Sequence, residues 1–369
     1  MILPFFKNNI NNPSQKQRVL VAPLDWGLGH ATRCIPIIRE LLEQGFDVML
    51  AAEKGGALLL HTEFPHLQIL PLPGYRITYS KKEKFFLLKI AEQVPKIVRS
   101  VYYEHKWLSA VIKKYAIDTV ISDNRFGFFN KNIRSIFITH QLFIKTGNRI
   151  SEKIAQKINY WFINKFNECW VPDEPGEENL GGILSHAEIM PRIPIKYIGG
   201  LLRFEKYTVS PDTDLLIMLS GPEPQRTLFE NILLNQIKTV DLKIVLVRGL
   251  PTGESFESDL GDNVKIFNHL KGAALNELIL SSKVIVARSG YTTVMELAAL
   301  NKKAILVPTP GQTEQEYLAN YLSEKKYCIT SSQKSFSLLA ALEQIKHAKL
   351  SSFPNTDNNM VKAAVNGLQ

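Results

Sequence analysis

Residues Ala287 to Ala299 read ARSGYTTVMELAA and carry the strongest structural signal in the chain. The mainly apolar run at 283–286 before them predicts a buried parallel strand, and apolar residues at helical spacing follow. Ser289 and Gly290 therefore fall at a strand-to-helix turn. Because a helix start offers unpaired N–H groups and the positive end of the helix dipole, this turn suits a phosphate group.

A carboxylate lies inside the helix that this turn opens. Glu296 follows Thr293 by three residues and Thr292 by four, so the three side chains share one helical face. A carboxylate one turn beyond a phosphate site can accept hydrogen bonds from a ribose diol. The same pattern also fits an ordinary capped helix with a solvated glutamate, and both interpretations stay open at this point.

Composition limits the class of protein. A chain of 369 residues that is 45% hydrophobic is long enough for about two globular domains. The excess of 44 Lys and Arg over 35 Asp and Glu gives a net charge of +9, which favours phosphorylated partners or an anionic membrane surface. No apolar run is long enough to span a bilayer. We expect a cytoplasmic protein with a flexible leader over residues 1–17.

The cysteines predict neither a disulfide framework nor a metal site. Cys34, Cys169 and Cys328 are far apart and form no CxxC motif, which is typical of reduced thiols. We therefore expect no metal and no cofactor. The Asp212-Thr213-Asp214 stretch spells a DxD motif, which can hold a metal-bound nucleotide, but it precedes a buried strand and is interpreted as a polar strand entry.

The first strand, predicted over residues 18–23, leads into a loop that contains Gly27, Gly29 and His30, followed by a helix over 31–43. The loop lacks the third glycine of a dinucleotide fingerprint, and no ribose-binding acid follows the second strand. His30 lies at the carboxyl end of the strand, where open sheets bind ligands. We therefore favour a general base over a packing histidine.

Two further polar pairs follow predicted strands. Asp123-Asn124 ends a strand over 117–122, and His140-Gln141 ends a strand over 133–139. Because carboxyl ends of parallel strands share one edge, these pairs should face the same cleft as His30. With Gly27 and Gly29 they form a second rank of site candidates, although each pair could equally cap a loop.

A basic segment over residues 80–115 mixes lysines with large apolar side chains and is interrupted by Pro95. It fits a pair of surface helices over an ordinary core. It also fits a basic amphipathic patch that rests on an anionic membrane.

Strands and helices alternate in both halves of the chain, which predicts an α/β fold with two Rossmann-like parallel-sheet domains facing a central cleft. The predicted divisions are a leader at 1–17, an N-terminal domain at 18–205, a linker at 206–214, a C-terminal domain at 215–345 and a polar C-terminal segment at 346–369.

With these motifs in place, the chain resembles the MurG-like glycosyltransferases of the GT-B fold, of the family 28 type. The resemblance covers most of residues 18–345 and is strongest over 283–320. There Arg288-Ser289-Gly290, Thr293 and Glu296 match the donor-binding signature in type and spacing, together with Pro308 and Gln315. Members of this family move a sugar from a nucleotide sugar to an acceptor.

The resemblance implies roles for individual residues. Glu296 would bind the ribose, Gln315 the donor sugar, and His30 would be the base. The implied donor-binding set is Arg203, Gly221, Phe267, Arg288, Ser289, Gly290, Thr293, Glu296 and Gln315. The chain departs from the family pattern in three places: its first glycine-rich loop is sparser, prolines follow Gly221, and Glu316 replaces a second glutamine.

The resemblance implies metal-independent, inverting transfer of a hexose from a nucleotide diphosphate sugar, with a UDP sugar expected, to an acceptor hydroxyl. The acceptor would be lipid-linked or a cell-envelope glycan, no nucleic acid would bind, and the protein would sit at the inner face of the cell membrane. Some UDP-sugar hydrolases share a GxGHxxRC segment like residues 27–34, so a hydrolase or epimerase is one alternative. A non-catalytic nucleotide-sugar-binding protein is another. Every transferase interpretation requires Glu296 to face the gap between the two domains. It also requires that side chains leave this gap open.

Overall fold

The computed structural model describes residues 16–26, 28–75, 93–250, 260–354 and 359–369. Three predicted features lie partly or wholly outside these ranges: Gly27, residues 1–15 of the leader, and residues 80–92 of the basic segment. Within the described ranges, no helix has both the length and the apolar character needed to cross a membrane.

The first sheet has seven parallel strands in the order β3-β2-β1-β4-β5-β6-β7. Four α-helices connect its described strands. The strands are β1 (Arg18–Pro23), β2 (Asp47–Ala52), β3 (Ile69–Pro71), β4 (Thr119–Asp123), β5 (Arg134–Ile138), β6 (Glu168–Val171) and β7 (Ile195–Tyr197), and the helices are α1 (Leu28–Glu43), α2 (Lys54–Glu63), α3 (Val94–Tyr115) and α4 (Arg149–Ile163).

The second sheet has six parallel strands in the order β10-β9-β8-β11-β12-β13. Its strands are β8 (Thr213–Met218), β9 (Ile244–Val247), β10 (Val264–Phe267), β11 (Ser282–Ala287), β12 (Ala304–Leu306) and β13 (Ile329–Thr330). The helices of this half are α5 (Gln225–Ile237), α6 (Gly272–Ser281), α7 (Tyr291–Ala299), α8 (Thr313–Glu324), α9 (Leu338–His347) and α10 (Asn359–Asn366).

These two sheets confirm the predicted α/β fold. Their central strands are apolar on both faces because helices cover both sides, as parallel sheets require. In each sheet the strand order reverses once, between β1 and β4 and between β8 and β11. Ligands of open α/β sheets bind at such switch points, beyond the carboxyl ends of the strands. The switch points therefore locate the two halves of a site.

Several element boundaries differ from the sequence prediction. Helix α1 begins at Leu28, so His30 lies in its first turn and not before it. Asp123 is the last residue of β4 and not the first of the loop. Helix α2 and the two-residue strand β13 were not predicted, because short elements have weak periodicity.

The C-terminal segment was predicted to be polar, and the structure corrects this. Helix α10 buries one apolar face against α1 of the first half. Gln44 Nε2 donates to the carbonyl of Lys362 at 3.1 Å, and Arg134 Nη1 donates to that of Gly367 at 2.6 Å. The chain end therefore returns to the first sheet. The buried side chains are those of Val361, Ala364, Val365 and Leu368.

A buried polar network braces the first sheet just below its switch point. Arg125 is fully buried, and its Nε donates to the Pro23 carbonyl at 2.7 Å. Its Nη1 pairs with Glu104 of α3 at 2.5 Å. The other Glu104 oxygen accepts from the Tyr75 hydroxyl at 2.8 Å. The ends of β1 and β4 are thus held together by hydrogen bonds that are buried from solvent.

We expect Glu104→Ala to lower the free energy of unfolding by about 3–5 kcal/mol, because it leaves the buried Arg125 charge without its partner. Urea denaturation followed by circular dichroism measures this change. Lys113→Ala on the exposed side of α3 is the control and should stay within about 0.5 kcal/mol of wild type. Equal effects of the two substitutions would contradict the bracing role.

Candidate active site

A histidine, an aspartate and an arginine meet at the switch point of the first sheet. His30 Nδ1 lies 3.0 Å from Asp123 Oδ2. Arg33, one turn after His30 on α1, reaches the same oxygen with Nε at 2.8 Å and bonds the other oxygen through Nη2. Asp123 is fully buried, whereas the His30 side chain is 15% exposed. The carboxylate is therefore internal and the imidazole lies at the edge of the site.

The charge states of this group follow from its surroundings. Burial would raise the pKa of Asp123, but the Arg33 charge and the contact with His30 outweigh it and lower that pKa to about 2. Burial lowers the pKa of His30, and Asp123 only partly opposes this. At neutral pH the site thus holds an aspartate anion beside a neutral imidazole.

The tautomer of His30 follows from the same contacts. Arg33 Nη2 also lies 3.0 Å from Nδ1, but its shorter contact is with Asp123. We therefore assign the Nδ1 proton to the bond with the carboxylate. The lone pair is then on Nε2, which has no hydrogen-bond partner among the residues that the structure describes. An imidazole held in this way can act as a general base.

Asn124 supports Arg33 from the following loop. Its backbone φ is +57°. With its amide oxygen turned toward Arg33 it accepts from Nη2 at 3.0 Å, and its nitrogen donates to Thr139 Oγ1 at 2.9 Å. The structure thus places this second-rank candidate in the same network, behind His30.

His140 is engaged through both ring nitrogens. Arg33 Nη1 donates to Nδ1 at 2.9 Å, and Nε2 lies 2.8 Å from Glu314 Oε1. The ring stacks on Tyr291 of the second half, with centroids 4.2 Å apart and planes 7° from parallel. Gln141 Nε2 bonds the other Glu314 oxygen. Because neither nitrogen of His140 is free, His30 is the better placed of the two as a base.

Glu314 is the residue of this cluster that the sequence did not reveal. It lies in the first turn of α8 and reaches across from the second half of the chain to His140 and Gln141. The available signal was its position in an acidic first turn after a Pro- and Gly-containing loop at 308–312. That pattern also fits a helix that simply complements its own dipole.

On the second half, Arg288, Ser289 and Gly290 form the turn between β11 and α7, and Gly290 directly precedes the first residue of α7. The Ser289 hydroxyl is buried and donates to the carbonyl of Gln315 at 2.7 Å. The Gln315 side chain accepts from the Thr309 N–H at 2.8 Å. The Ser289 side chain therefore joins the starts of α7 and α8, whereas the Gln315 side chain holds the loop that precedes α8.

Arg288 is buried beneath this turn and points away from it. Its Nη1 donates to the Val307 carbonyl at 3.1 Å, and Nη2 donates to the Gln225 carbonyl at 3.0 Å and to Gln333 at 2.6 Å. Burial lowers the pKa of Arg288 to about 10. The guanidinium thus fastens the loops that follow three strand ends, and in this arrangement it does not reach the surface of the site.

Glu296 lies at the junction of the two halves and is 6% exposed. Its Oε1 accepts from Arg203 Nε at 2.6 Å, and its Oε2 has no hydrogen-bond partner within the described ranges. Thr293, on the same helix, is half-buried. The Glu296 carboxylate therefore faces the junction, as the sequence interpretation requires. It is paired with Arg203, which is also a predicted donor-binding residue.

Side chains of the two halves contact each other across part of the junction. The Thr292 hydroxyl donates to the Gly29 carbonyl at 3.3 Å, and the Tyr291 hydroxyl donates to that of Pro172 at 2.8 Å. Together with Glu314, these side chains bridge the two carboxyl edges.

The remaining donor candidates line the carboxyl edge of the second sheet. Gly221 follows β8 and has a backbone φ of +97°, a conformation that residues other than glycine rarely adopt. Phe267 ends β10 and is 38% exposed. Asp212 and Asp214 lie at the opposite end of β8, where they pair with Lys243 and Lys283. The DxD motif is thus a strand entry remote from the cleft.

Comparison with known proteins gives the class. The glycosyltransferase family 28 C-terminal domain matches residues 230–369. An uncharacterized glycosyltransferase of Methanosarcina acetivorans is 23% identical over 326 residues, 82% of each chain. The UDP-N-acetylglucosamine--N-acetylmuramyl-(pentapeptide) pyrophosphoryl-undecaprenol N-acetylglucosamine transferase of Lactobacillus helveticus is 26% identical over 129 residues, 33% of this chain and 34% of that one.

Solved structures share the fold of this chain. The crystal structure of Acinetobacter baumannii MurG superposes with a TM-score of 0.57 at 12% identity, covering 96% of this chain and 99% of that one. Two parallel sheets that meet at their carboxyl edges, with a family 28 domain in the second half, define a glycosyltransferase of the GT-B fold. Within that class, the chain carries a family 28 C-terminal domain over residues 230–369 and is similar to MurG-like glycosyltransferases.

The depressed pKa of Asp123 predicts a pH-dependent contribution to stability. The ordinary pKa of 3.8 falls to about 2 in the folded state, so the stabilisation is complete above about pH 5 and is lost as the pH falls toward 2. The difference in free energy of unfolding between wild type and Asp123→Asn should shrink by about 2 kcal/mol between these pH values. Denaturant titrations across this range measure it, and a constant difference would show that folding does not lower the pKa of Asp123.

Proposed function

We propose that the chain transfers a sugar from a nucleotide diphosphate sugar, with a UDP sugar as the expected donor, to an acceptor hydroxyl with inversion. The observation that carries this proposal is the orientation of His30. Its Nδ1 is bound by the Asp123 anion, and its Nε2 is left without a partner among the described residues. The neighbouring Gly29 contacts Thr292 in the first turn of α7, which brings His30 close to the proposed phosphate turn. The relative from Lactobacillus helveticus, whose name specifies a UDP sugar, supports the choice of nucleotide.

Donor binding is proposed for the C-terminal domain at 215–345. The N–H groups before and within the first turn of α7 would hold the pyrophosphate, which gains from the positive end of the helix dipole. Oε2 of Glu296 would accept a hydrogen bond from a ribose hydroxyl. Arg203, held against Glu296, would stand close enough to the same turn to balance phosphate charge. These groups are charged or dipolar without a metal, which supports a metal-independent reaction.

The acceptor is proposed to bind the N-terminal domain at 18–205, beside His30. The Nε2 lone pair would take the proton of the acceptor hydroxyl while its oxygen attacks the anomeric carbon. The bond from that carbon to the pyrophosphate oxygen breaks, and the departing negative charge is stabilised by the start of α7. The imidazolium that forms is stabilised by Asp123. Attack from the face opposite the leaving group inverts the anomeric centre.

Two substitutions separate the roles of base and donor site. His30→Ala should lower transfer by roughly 10²-fold or more, because general-base catalysis contributes on that scale, with donor binding unchanged. Glu296→Gln should weaken donor binding instead. Donor affinity is measured by isothermal titration calorimetry after a thermal-shift panel of UDP, GDP and dTDP sugars has identified the nucleotide. Transfer is measured with radiolabelled donor.

The exposed Glu324 at the end of α8 provides the control, since Glu324→Gln should change neither quantity. Full transfer by His30→Ala would remove His30 from its role. Release of free sugar by wild type without any acceptor would favour the hydrolase suggested by residues 27–34. Donor binding without turnover across an acceptor panel would favour a binding protein.

A membrane contact is proposed on the outward face of α4. Four large apolar side chains at helical spacing stand exposed on it, with exposed fractions of 54–72%. They are Ile150, Ile154, Ile158 and Trp161. Basic residues flank them, and Lys165 Nζ lies 3.7 Å from the centre of the Trp161 ring. An apolar stripe with a basic border is typical of a helix that rests in an anionic membrane surface.

The described part of the predicted basic segment lies on the same side of the sheet. Helix α3 exposes Val98 and Tyr102. Both α3 and α4 cover the sheet face opposite α1. The Phe129 ring lies between them: its centroid is 4.6 Å from that of His105 on α3 and 5.6 Å from that of Phe166 after α4. The two exposed stripes therefore belong to one helical layer.

The stripe also lies beside the proposed acceptor site. The buried side of α4 is fastened to the residues after His140, because Asn159 donates to the Gln141 carbonyl at 3.0 Å and Gln156 donates to that of Leu142 at 2.8 Å. A lipid-linked or cell-envelope acceptor presented at the inner face of the membrane would thus enter the cleft directly.

We expect the triple variant Ile150→Gln, Ile154→Gln, Ile158→Gln to lose at least about 10-fold in partitioning to vesicles that contain anionic lipid. Full burial of one isoleucine side chain contributes about 1.5–3 kcal/mol, and about 1.4 kcal/mol already corresponds to a factor of 10. Co-sedimentation with phosphatidylglycerol-containing vesicles measures this. Leu339→Gln, at an equally exposed apolar position on α9, is the control. Binding unchanged by the triple variant would place any membrane contact elsewhere.

A further inference from the structure

A continuous chain of polar contacts runs from the proposed donor domain to the proposed base. Glu314 of α8 contacts His140, which contacts Arg33, which binds Asp123, which orients His30. Except for the Arg33 Nη2 bond described above, these contacts measure 2.8–3.0 Å. The chain therefore links side chains from both domains within ordinary hydrogen-bond distance.

The middle of this chain has a defined proton arrangement. A guanidinium can only donate, so Nδ1 of His140 accepts from Arg33 and carries no proton. A carboxylate can only accept, so Nε2 donates to Glu314. His140 is thus a neutral ring in a single tautomer, and stacking on Tyr291 holds its plane. Its two neighbours, and not solvent, determine how it is oriented.

The last residue in this series of polar contacts, Glu314, belongs to the first turn of α8 in the proposed donor domain. Glu314 follows Thr313, whose hydroxyl donates to the Lys145 carbonyl of the first half at 2.7 Å. The next residue, Gln315, binds the Thr309 N–H and the Ser289 hydroxyl. Glu314 is therefore attached to the donor side through its neighbour Gln315, and like Thr313 it contacts the first half where the two carboxyl edges meet.

We propose that Glu314 is a positioning residue that aligns the base only when the donor domain is closed against the acceptor domain. Through His140 it fixes Arg33, and Arg33 in turn fixes the carboxylate that orients His30. This inference rests on the proposed function, in which His30 takes the acceptor proton. Its consequence is that proton removal is tied to domain closure, as in enzymes whose closing step assembles the site.

The electrostatic effect of Glu314 on His30 has a definite sign. The charged and titratable groups around His30 are Asp123 from β4, Arg33 from α1, His140 after β5 and Glu314 from α8, with the Cys34 thiol behind Asp123. A negative charge favours the imidazolium. Removal of the Glu314 charge should therefore lower the pKa of His30 and move the acidic limb of the kcat/KM profile to lower pH.

The test compares Glu314→Gln, His140→Phe and His140→Gln in the full-length protein. Glu314→Gln should lower kcat by roughly 10- to 100-fold, the scale expected for a misaligned catalytic group, and shift the acidic limb to lower pH without changing donor affinity. His140→Phe keeps a ring to stack on Tyr291 but removes the hydrogen bonds to Arg33 and Glu314, so it should show a similar loss of kcat. His140→Gln can still accept from Arg33 and donate to Glu314, and it should retain most of the activity.

Glu324→Gln on the same helix serves as the matched control and should behave as wild type. The proposal is overturned if Glu314→Gln loses donor affinity in proportion to kcat, if its acidic limb does not move, or if His140→Phe is as active as wild type. A failure of the underlying function looks different: transfer would then survive in His30→Ala, whatever the Glu314 variants do.

Discussion

A carboxylate that is removed from water stays ionised only if other groups replace the lost solvation, and Asp123 is the point at which the chain meets this demand. Arg33 supplies a charge and two hydrogen bonds, and His30 supplies a third. Because the arginine and histidine are one helical turn apart on α1, the helix must start close to the end of β1. The geometry of the first switch point follows from that single buried anion.

The two sheets could be predicted from sequence because each strand is a short apolar run followed by a helical pattern, as with residues 283–299. The grouping of Asp123 and His140 near His30 could be anticipated for a related reason, since carboxyl ends of parallel strands share an edge. The glycosyltransferase class was predicted from the family resemblance that the motif around Glu296 carries. The individual contacts were not, because hydrogen-bond partners depend on how side chains pack across elements distant in sequence.

Three features show where that limit lies. Glu314 is separated from His140 by 174 positions, and nothing in its local pattern distinguishes it from a glutamate that complements a helix dipole. Arg288 matches the donor motif, yet packing directs its guanidinium inward to carbonyl oxygens. The α10 helix was missed because polar neighbours obscure four apolar residues whose partner surface is on α1. In each case tertiary packing, and not local propensity, determined the outcome.

The return of α10 to the first sheet has a mechanical consequence. The polypeptide joins the two halves before β8, and α10, which follows the second half in sequence, packs on α1 of the first half. A second attachment restricts relative twisting and translation of the two halves more than a single connection does. Because separation of the carboxyl edges would part Glu314 from His140, the packing of α10 on α1 limits how far that contact can open.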